Sequence, residues 1–266
     1  AIEANDQDGL RHLAADLHEA DTGDLLETLD PEDRASFIRL LGEDFDYTAL
    51  TEIDEAVRLQ VLEDLPTEVI AEGLGDLDSD DAVYILEDLD EDDQAAILEE
   101  LPYADRAQLQ KALDYPEESA GRRMQTEFIA VAPFWTIGQT IDYMREARDL
   151  PDSFYEIYVV DPTFKLLGSV HLDKILRTKR DEKVTSIMEE TRQAVLATED
   201  QEEVARRFER YNLVSSAVVD ENDRLVGVLT VDDIVDVIQE EAEEDLRALA
   251  GVGDEEISDN VMTIAR

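Results

Sequence analysis

The chain has 266 residues and a formal net charge of −46, from 69 Asp and Glu side chains against 23 Lys and Arg side chains. A surface this negative repels phosphate backbones and anionic lipid headgroups, which argues against nucleic acid as a partner and against a basic membrane anchor. The chain contains no cysteine, so disulfides, thiolate metal sites and a cysteine nucleophile are excluded. Its length and its 43% of hydrophobic residues predict about two domains with their own cores.

Residues 1–120 repeat a short helical unit every twelve residues. A leucine or isoleucine recurs at this spacing from Leu17 to Leu113, and a second apolar column precedes it by three residues, from Leu26 to Leu98. Pairs spaced i, i+3 mark one face of a helix, and the Asp, Pro or Gly after each pair is typical of a helix boundary. One such helix cannot bury its apolar face alone. We therefore expect the units, including the one that begins at Gly42, to stack as an all-α superhelix.

The charge changes at the end of this repeat. Residues 1–120 carry 37 acidic and 6 basic side chains, a net of −31, whereas residues 121–266 carry 32 and 17, a net of −15. The join at residues 115–121 contains Pro and Gly, which commonly interrupt secondary structure. We therefore place the end of an acidic helical domain at residue 120.

The second half has the pattern of a duplicated α/β module. In each copy a strand that ends in Val-Val-Asp precedes a second strand, and Gly168 and Gly227 each stand seven residues after that Asp. Two β-α-β-β-α modules are expected, over residues 121–182 and 183–250, with residues 251–266 beyond them. Strands are predicted over residues 128–132, 155–161, 167–170, 194–198, 216–220 and 225–230, and helices over 136–148, 172–178, 201–211 and 231–249.

The sequence contains no residue pattern typical of catalysis. The three histidines, His12, His18 and His171, lack the spacing of a zinc site, and no nucleophile-elbow, Walker or dinucleotide fingerprint is present. We therefore expect no enzyme and no catalytic residues. The remaining chemistry is carboxylate oxygen, which is the ligand type that Mg²⁺ prefers.

The acidic residues between positions 233 and 245 are the most informative carboxylates. On a helix, five of them fall on one face, opposite an apolar face. Like charges three or four residues apart repel, so this stripe is expected to take a counterion or a cationic partner, although a solvated helix face gives the same pattern. The acidic face comprises Asp233, Asp236, Glu240, Glu243 and Glu244, and the apolar face comprises Ile234, Val235, Ile238, Ala242 and Leu246.

The duplicated module resembles a pair of cystathionine-β-synthase (CBS) domains, through Val-Val-Asp-x-x-x-x-Leu-Val-Gly-Val-Leu-Thr-Val-Asp-Asp-Ile in residues 218–234. The acidic helical repeat, the junction Tyr-Pro-Glu-Glu-Ser-Ala-Gly-Arg-Arg-Met and the CBS pair follow one another in an order similar to the cytosolic part of MgtE-type magnesium transporters. The resemblance implies a magnesium-sensing regulatory region on the cytoplasmic side of the membrane, a homodimer through its CBS pair. It also implies a connecting helix from residue 251 and a transmembrane pore domain of the same chain, which shuts when Mg²⁺ compacts the regulatory region.

The same resemblance implies which residues bind Mg²⁺. In the helical domain they are Asp76 and Asp80, with Asp44 less well placed, although aspartates at helix starts are also explained as caps. Asn212 stands where the family has an acid, and its amide oxygen can still coordinate. Around the second CBS module the implied ligands are Asp233, Asp236, Glu241, Glu244 and Asp245, with Gly121 through its carbonyl group.

Some members of the family bind ATP between the two CBS modules. The ribose-binding pattern Thr-x-x-Asp is intact in the second module, but the first module has His171 and Lys174 at the aligned positions. An aspartate that holds ribose cannot easily bind Mg²⁺ as well, and this conflict stays open here. The implied nucleotide contacts are Tyr155 and Leu213 beside the adenine and Thr230 and Asp233 at the ribose.

Two alternatives remain open beside magnesium sensing. A CBS pair that senses an adenine nucleotide can regulate an enzyme or another transporter. Halophilic adaptation also produces an acidic chain, and only 5 of the 23 basic residues are lysine. Either cause can coexist with a magnesium sensor.

Overall fold

The computed structural model describes residues 7–15, 17–147, 150–151, 153–191, 193–242 and 246. The chain divides into a helical unit, residues 1–117 and 125–127, and an α/β unit, residues 118–124 and 128–266. The predicted fold class, an all-α repeat domain followed by a tandem α/β pair, is confirmed. Within the described residues, no helix is both long enough and apolar enough to cross a membrane.

The helical unit consists of short α-helices that begin where the twelve-residue repeat predicts. Asp54 and Asp90 cap their helices, since each side chain accepts a hydrogen bond from a backbone N–H of the first turn, and Pro31 occupies the first position of its helix. The helices are α1 (Gln7–Ala14), α2 (Glu19–Thr28), α3 (Pro31–Leu41), α4 (Glu55–Glu63), α5 (Thr67–Leu74), α6 (Ser79–Glu87), α7 (Glu91–Glu100) and α8 (Tyr103–Leu113).

The two apolar columns are buried to different degrees. Every residue of the second column is 0–4% exposed, which makes this column the centre of the helical core. In the first column, Leu77 and Leu89 are only partly buried, whereas Leu41, Ile53, Leu65 and Leu101 are 1–6% exposed. The second column comprises Leu26, Ile38, Leu50, Leu62, Leu74, Leu86 and Leu98.

The unit that begins at Gly42 differs from the prediction, because it forms two 3-10 helices, Gly42–Asp44 and Tyr47–Leu50, instead of an α-helix. Gly42 has a φ of +58°, which ends α3. The Tyr47 ring then packs so closely on Gly73 that a Cβ there would lie 2.2 Å from it, and its hydroxyl donates to the Val69 carbonyl at 3.1 Å. Aromatic packing therefore determines this segment, although the apolar columns continue through it.

The α/β unit contains two copies of the predicted β-α-β-β-α module. Its two sheets have the orders β1-β2-β3 and β4-β5-β6, and in each the first pair is parallel and the second antiparallel. The first copy comprises β1 (Ala130–Val131), α9 (Ile137–Glu146), β2 (Glu156–Val160), β3 (Leu166–His171) and α10 (Leu172–Arg177). The second comprises β4 (Val195–Leu196), α11 (Gln201–Tyr211), β5 (Ser215–Val219), β6 (Leu225–Thr230) and a helix α12 over residues 231–242.

The two modules are joined through their hairpins. The Leu225 N–H donates to the Phe164 carbonyl and the Leu166 N–H to the Asp223 carbonyl, both at 2.9 Å. Tyr158 lies in a core cluster that contains residues of both modules. Backbone hydrogen bonds and a shared apolar cluster therefore make the CBS-like pair one unit.

The unequal burial of the two columns predicts unequal costs of truncation. Leu86→Ala should lower the free energy of unfolding of the helical unit by about 2–5 kcal/mol, because Leu86 is 0% exposed, whereas Leu77→Ala should cost about 1 kcal/mol. Urea unfolding followed by circular dichroism measures both values. Leu176→Ala, at an exposed site in the α/β unit, is the control, and equal costs for Leu86 and Leu77 would contradict the assignment of the core.

Candidate functional site

A cavity of about 930 Å³ lies within the α/β unit. Small-molecule sites in proteins commonly occupy about 300–1,000 Å³, so its size suits a nucleoside or a nucleotide. Both modules contribute to the wall. The lining comes from residues 154–156, the end of β3 with the start of α10, residues 189–191 and 193, and residues 211–216.

Two of the residues expected beside an adenine meet in this cavity. Tyr155, which is 44% exposed, precedes β2, and the partly buried Leu213 lies between α11 and β5. Asn212 also lines the cavity and ends α11 in the left-handed conformation, with φ 50° and ψ 49°. The structure therefore brings Tyr155, Leu213 and Asn212 to one place.

One wall of the cavity depends on a close backbone approach. Ser169 on β3 and Glu189 exchange two backbone hydrogen bonds of 2.9–3.0 Å, so the segment at Glu189 runs beside the strand. A Cβ at Gly168 would lie 2.3 Å from the Glu189 carbonyl oxygen, so this approach requires glycine. The duplicated glycine seen in the sequence thus has a structural reason in the first module.

The charged side chains of the cavity are mostly acidic. Glu156 pairs with His171, with 3.2 Å between Oε1 and Nδ1, and Glu189 pairs with Lys174. The Lys174 ammonium group holds the pKa of Glu189 below its usual range, through a hydrogen bond and its positive charge. Asp173 also lines the cavity.

Two buried hydroxyls of the cavity have no hydrogen bond of normal geometry among the described residues, Thr191 Oγ1 and Ser215 Oγ. Ser215 is 8% exposed, and its polar neighbour is the buried hydroxyl of Tyr158. A buried hydroxyl without a partner is destabilising, and in a cavity it can be satisfied by a ligand or by water. The sequence did not predict these hydroxyls as site groups, because serine and threonine are common residues and no pattern indicates which of them are buried in a cavity.

The predicted ribose pair, Thr230 and Asp233, lies at the start of α12. Thr230 donates to Asp233 Oδ2 through its backbone N–H at 3.1 Å and its hydroxyl at 2.5 Å. This is the geometry of a helix cap, which explains Thr-x-x-Asp without a ligand. Neither residue is among the described residues that line the cavity. Burial, the Thr230 hydrogen bonds and the nearby Asp232 and Asp236 together leave the pKa of Asp233 raised to about 6.

The acidic face of α12 has partners within the protein. Arg123 pairs with Glu240 at 3.1 Å, and its Nε donates to Gln201 Oε1 at 3.1 Å. Gln201 in turn donates to Glu241 at 2.9 Å. The cationic partner expected for the stripe is therefore Arg123, from the junction segment. Gly121 anchors that segment, since its N–H donates to the Ala197 carbonyl at 2.7 Å.

The apolar residues of α12 do not form the single face that was predicted. Ile234 and Val237 are buried, whereas Val235 and Ile238 are 53% and 48% exposed. Helix α12 is therefore buried on the side that carries Ile234 and Val237. Val235 and Ile238 are left as a separate apolar strip.

The remaining predicted magnesium ligands are dispersed in the part of the chain that the structure describes. Asp44 forms an exposed ion pair with Arg11 at 2.7 Å, Asp76 is exposed in the turn after α5, and Asp80 lies in the first turn of α6. Across the described ranges, no three acidic or histidine side chains are grouped closely enough to hold a metal ion. Glu244 and Asp245 lie outside the described residues. Carboxylate oxygens suit Mg²⁺, but the described residues of either unit do not by themselves form a complete coordination site.

Comparisons with known proteins agree with this architecture. Residues 17–118 match the family described as the MgtE intracellular N domain, and residues 184–240 match the CBS domain family. The chain is 35% identical over 149 residues to the magnesium transporter MgtE of Enterococcus faecalis, covering 56% of this chain and 33% of that protein. It is 38% identical over 136 residues to MgtE of Thermus thermophilus, covering 51% and 30%. The chain thus spans about a third of the length of the curated relatives that it matches.

Two solved structures are similar over most of the chain. A cytosolic domain of the Mg²⁺ channel MgtE in complex with ATP has a TM-score of 0.82 and 30% identity, covering 88% of this chain and 96% of that one. The soluble part of a magnesium transporter has a TM-score of 0.78 and 27% identity, covering 91% and 95%.

The raised pKa of Asp233 predicts a pH-dependent effect of its replacement. The unfolded chain releases this proton near pH 3.8 and the folded chain near pH 6, so ionisation at higher pH destabilises the fold. Asp233→Asn should therefore raise the free energy of unfolding by about 1–3 kcal/mol above pH 7, and the gain should fade as the pH drops from about 6 to about 4. Thermal unfolding with a chelator present, across this pH range, measures the difference.

Glu221→Gln is the control, because it removes one carboxylate from an exposed turn of the same unit and is not among the groups that shift the pKa of Asp233. It should show no comparable pH dependence between pH 4 and pH 6. If the two variants behave alike, the effect comes from net charge and the assignment to Asp233 is wrong.

Proposed function

Since this chain belongs to the MgtE family, we propose that it is the magnesium-sensing regulatory region of a magnesium transporter or channel, on the cytoplasmic side of the membrane. The observation that carries the proposal is that both units of this chain are matched together by one cytosolic domain of an Mg²⁺ channel. The pore that it regulates is the transmembrane domain of the same protein. No catalytic reaction forms part of this function.

The proposed mechanism uses electrostatic repulsion between acidic surfaces. Residues 1–120 carry a net charge of −31, and α12 adds the carboxylates of Asp236 and Glu241 to the second unit. Without divalent ions these surfaces repel, and the regulatory region is open. Mg²⁺ keeps several waters and takes one or two carboxylates from each surface, which suits a bridge better than a closed cage.

The bridging ligands in this proposal are the residues that the family resemblance implied. Asp44, Asp76 and Asp80 serve on the helical unit, and the acids of α12 serve on the other, with the Gly121 carbonyl and the Asn212 amide as neutral donors. Several weak bridges that form together bind the compact state better than the open one, so closure is cooperative. Closure then draws in the connecting helix and shuts the pore when cellular Mg²⁺ is high.

We also propose that the region is a homodimer through its CBS pair. The exposed strip of Val231, Val235 and Ile238 recurs at i, i+4 and i+7 on α12, which places the three residues on one face. A contiguous apolar strip on a soluble surface is typical of an interface.

A second function, adenine-nucleotide sensing, is favoured by a specific observation. The cavity of about 930 Å³ contains both Tyr155 and Leu213, and a similar structure is described as a complex with ATP. The two functions are compatible, because the acidic residues of α12 that are proposed to bind Mg²⁺ are different from the residues that line the cavity.

Magnesium sensing predicts a compaction that depends on particular carboxylates. Small-angle scattering across an Mg²⁺ titration should show a falling radius of gyration. Asp236→Asn/Glu241→Gln and Asp76→Asn/Asp80→Asn should each move the midpoint to about tenfold higher Mg²⁺, because each pair removes ionic ligands while keeping side-chain shape. Isothermal titration with Mg²⁺ should show the same order of affinities.

Asp92→Asn/Asp93→Asn on α7 is the control, since it removes two exposed charges from the helical unit at residues not proposed as ligands. Its midpoint should stay within about twofold of the wild type. If KCl at equal ionic strength compacts the protein to the same extent, the compaction is caused by charge screening, and the proposal of a magnesium sensor is wrong. That result would favour halophilic adaptation as the origin of the acidity.

If the exposed strip of Val231, Val235 and Ile238 forms the dimer interface, a charged side chain placed on it should separate the protomers. Ile238→Asp should give a monomer at tens of micromolar protein with Mg²⁺ present, because it places a carboxylate in an apolar interface. Light scattering measures the mass. Leu196→Asp, at a similarly exposed leucine on β4, should remain dimeric, and a monomeric wild type would refute the proposal.

A further inference from the structure

Residues 125–127, which we call the strap, belong to the helical unit, although the residues on both sides of them belong to the α/β unit. Before the strap, the Ala120 N–H donates to the Glu199 carbonyl at 2.8 Å. After the strap, Phe128 packs against the core cluster that contains Tyr158. The chain therefore changes from one unit to the other three times, after residues 117, 124 and 127.

Side-chain hydrogen bonds hold the strap to the start of α6. Glu127 Oε2 accepts from the Ser79 hydroxyl at 2.8 Å and from the Ser79 N–H at 3.2 Å. Glu127 Oε1 accepts from Gln108 Nε2 on α8 at 2.6 Å. The Thr126 N–H in turn donates to Ser79 Oγ at 2.8 Å. Because Ser79 is 3% exposed, water has little access to these bonds and cannot easily replace them.

Glu127 thus caps α6 from a position 48 residues away from Ser79. The capping bond at the first N–H of this helix comes from Glu127 and not from the preceding residue, Asp78. A carboxylate at a helix N-terminus accepts N–H groups that the helix leaves unpaired and interacts favourably with the helix dipole. The first turn of α6 also carries Asp80, one of the proposed Mg²⁺ ligands. The strap is therefore bound at the helix end that carries this ligand.

We infer that Glu127 is a positioning residue for magnesium sensing, because it fastens the helix that carries Asp80 to the chain segment that leads into the α/β unit. The inference rests on the proposed magnesium-sensing function and adds a tether to it. With the strap bound, the chain joins the two units at three points, and without it only the link after residue 117 remains. A tighter tether raises the effective concentration of one set of ligands near the other, so less Mg²⁺ is needed for closure.

The decisive variant is Glu127→Asp, which keeps the charge but shortens the side chain, so that its carboxylate no longer reaches both Ser79 and Gln108. Small-angle scattering on the whole chain without Mg²⁺ should show a larger radius of gyration than the wild type has. The midpoint of the Mg²⁺ titration should rise about threefold, because the looser tether lowers the effective concentration. Glu127→Ala should have the same two effects.

Asp90→Ala is the matched control, because Asp90 caps the neighbouring helix α7 with bonds of 3.0–3.1 Å, and its replacement removes the same charge and the same kind of bond. This variant should destabilise the helical unit but leave the radius of gyration and the Mg²⁺ midpoint unchanged. Equal shifts in Asp90→Ala and Glu127→Ala would mean a general loss of stability and would overturn the inference. Wild-type behaviour of Glu127→Asp would also overturn it, since charge alone would then explain Glu127→Ala.

Hydrogen exchange without Mg²⁺ tests the strap separately from magnesium sensing. The amides of Ser79 and Thr126 should be protected in the wild type and should exchange about tenfold faster in Glu127→Ala, because both donate hydrogen bonds that hold the strap. If these amides are unprotected in the wild type, the strap does not bind and the inference is wrong, while magnesium sensing stands. If Mg²⁺ does not compact the wild type, the proposed function fails, and the radius of gyration without Mg²⁺ then decides whether the strap is a tether.

Discussion

The scarcity of positive charge is the constraint on which the rest of this structure depends. With 23 basic side chains for 69 acidic ones, most carboxylates cannot find a partner within the protein. A buried arginine shows what such a pair contributes inside the protein. Arg58 is 2% exposed, pairs with Asp88 at 2.6 Å and donates to the carbonyls of Leu50 and Ile53. Removing either partner would leave a buried charge uncompensated, which is strongly destabilising.

Packing has to hold each unit together against this repulsion. In the helical unit the fully buried column is the continuous apolar element, and it runs through every repeat, including the one that lacks an α-helix. In the α/β unit the hairpins of the two modules share backbone hydrogen bonds and a core cluster. Each unit thus holds itself together through apolar contacts and backbone hydrogen bonds.

The sequence predicts regular features well and irregular contacts poorly. The twelve-residue period predicts the helices, and the spacing of Gly168 and Gly227 predicts the duplicated module. Both patterns are visible in the sequence because the same local structure is repeated along the chain. The pairing of Arg58 with Asp88 joins residues thirty positions apart and leaves no local pattern. The Thr-x-x-Asp motif is ambiguous for a different reason: a helix cap and a ribose contact use the same two side chains, and only coordinates show which geometry is present.

The placement of Asp233 also bears on the conflict between ribose and Mg²⁺. Asp233 is held by Thr230 at the start of α12 and is not among the described residues that line the cavity. The two places are nevertheless close in the sheet, since Ser215 on β5 pairs with Thr230 on β6, and the Val231 N–H donates to the Val214 carbonyl at 2.9 Å. Ser215, which lines the cavity, thus lies opposite Thr230, the residue that caps α12. Because α12 carries the acids proposed to bind Mg²⁺, the proposed nucleotide site and the proposed ion sites are next to each other in this module.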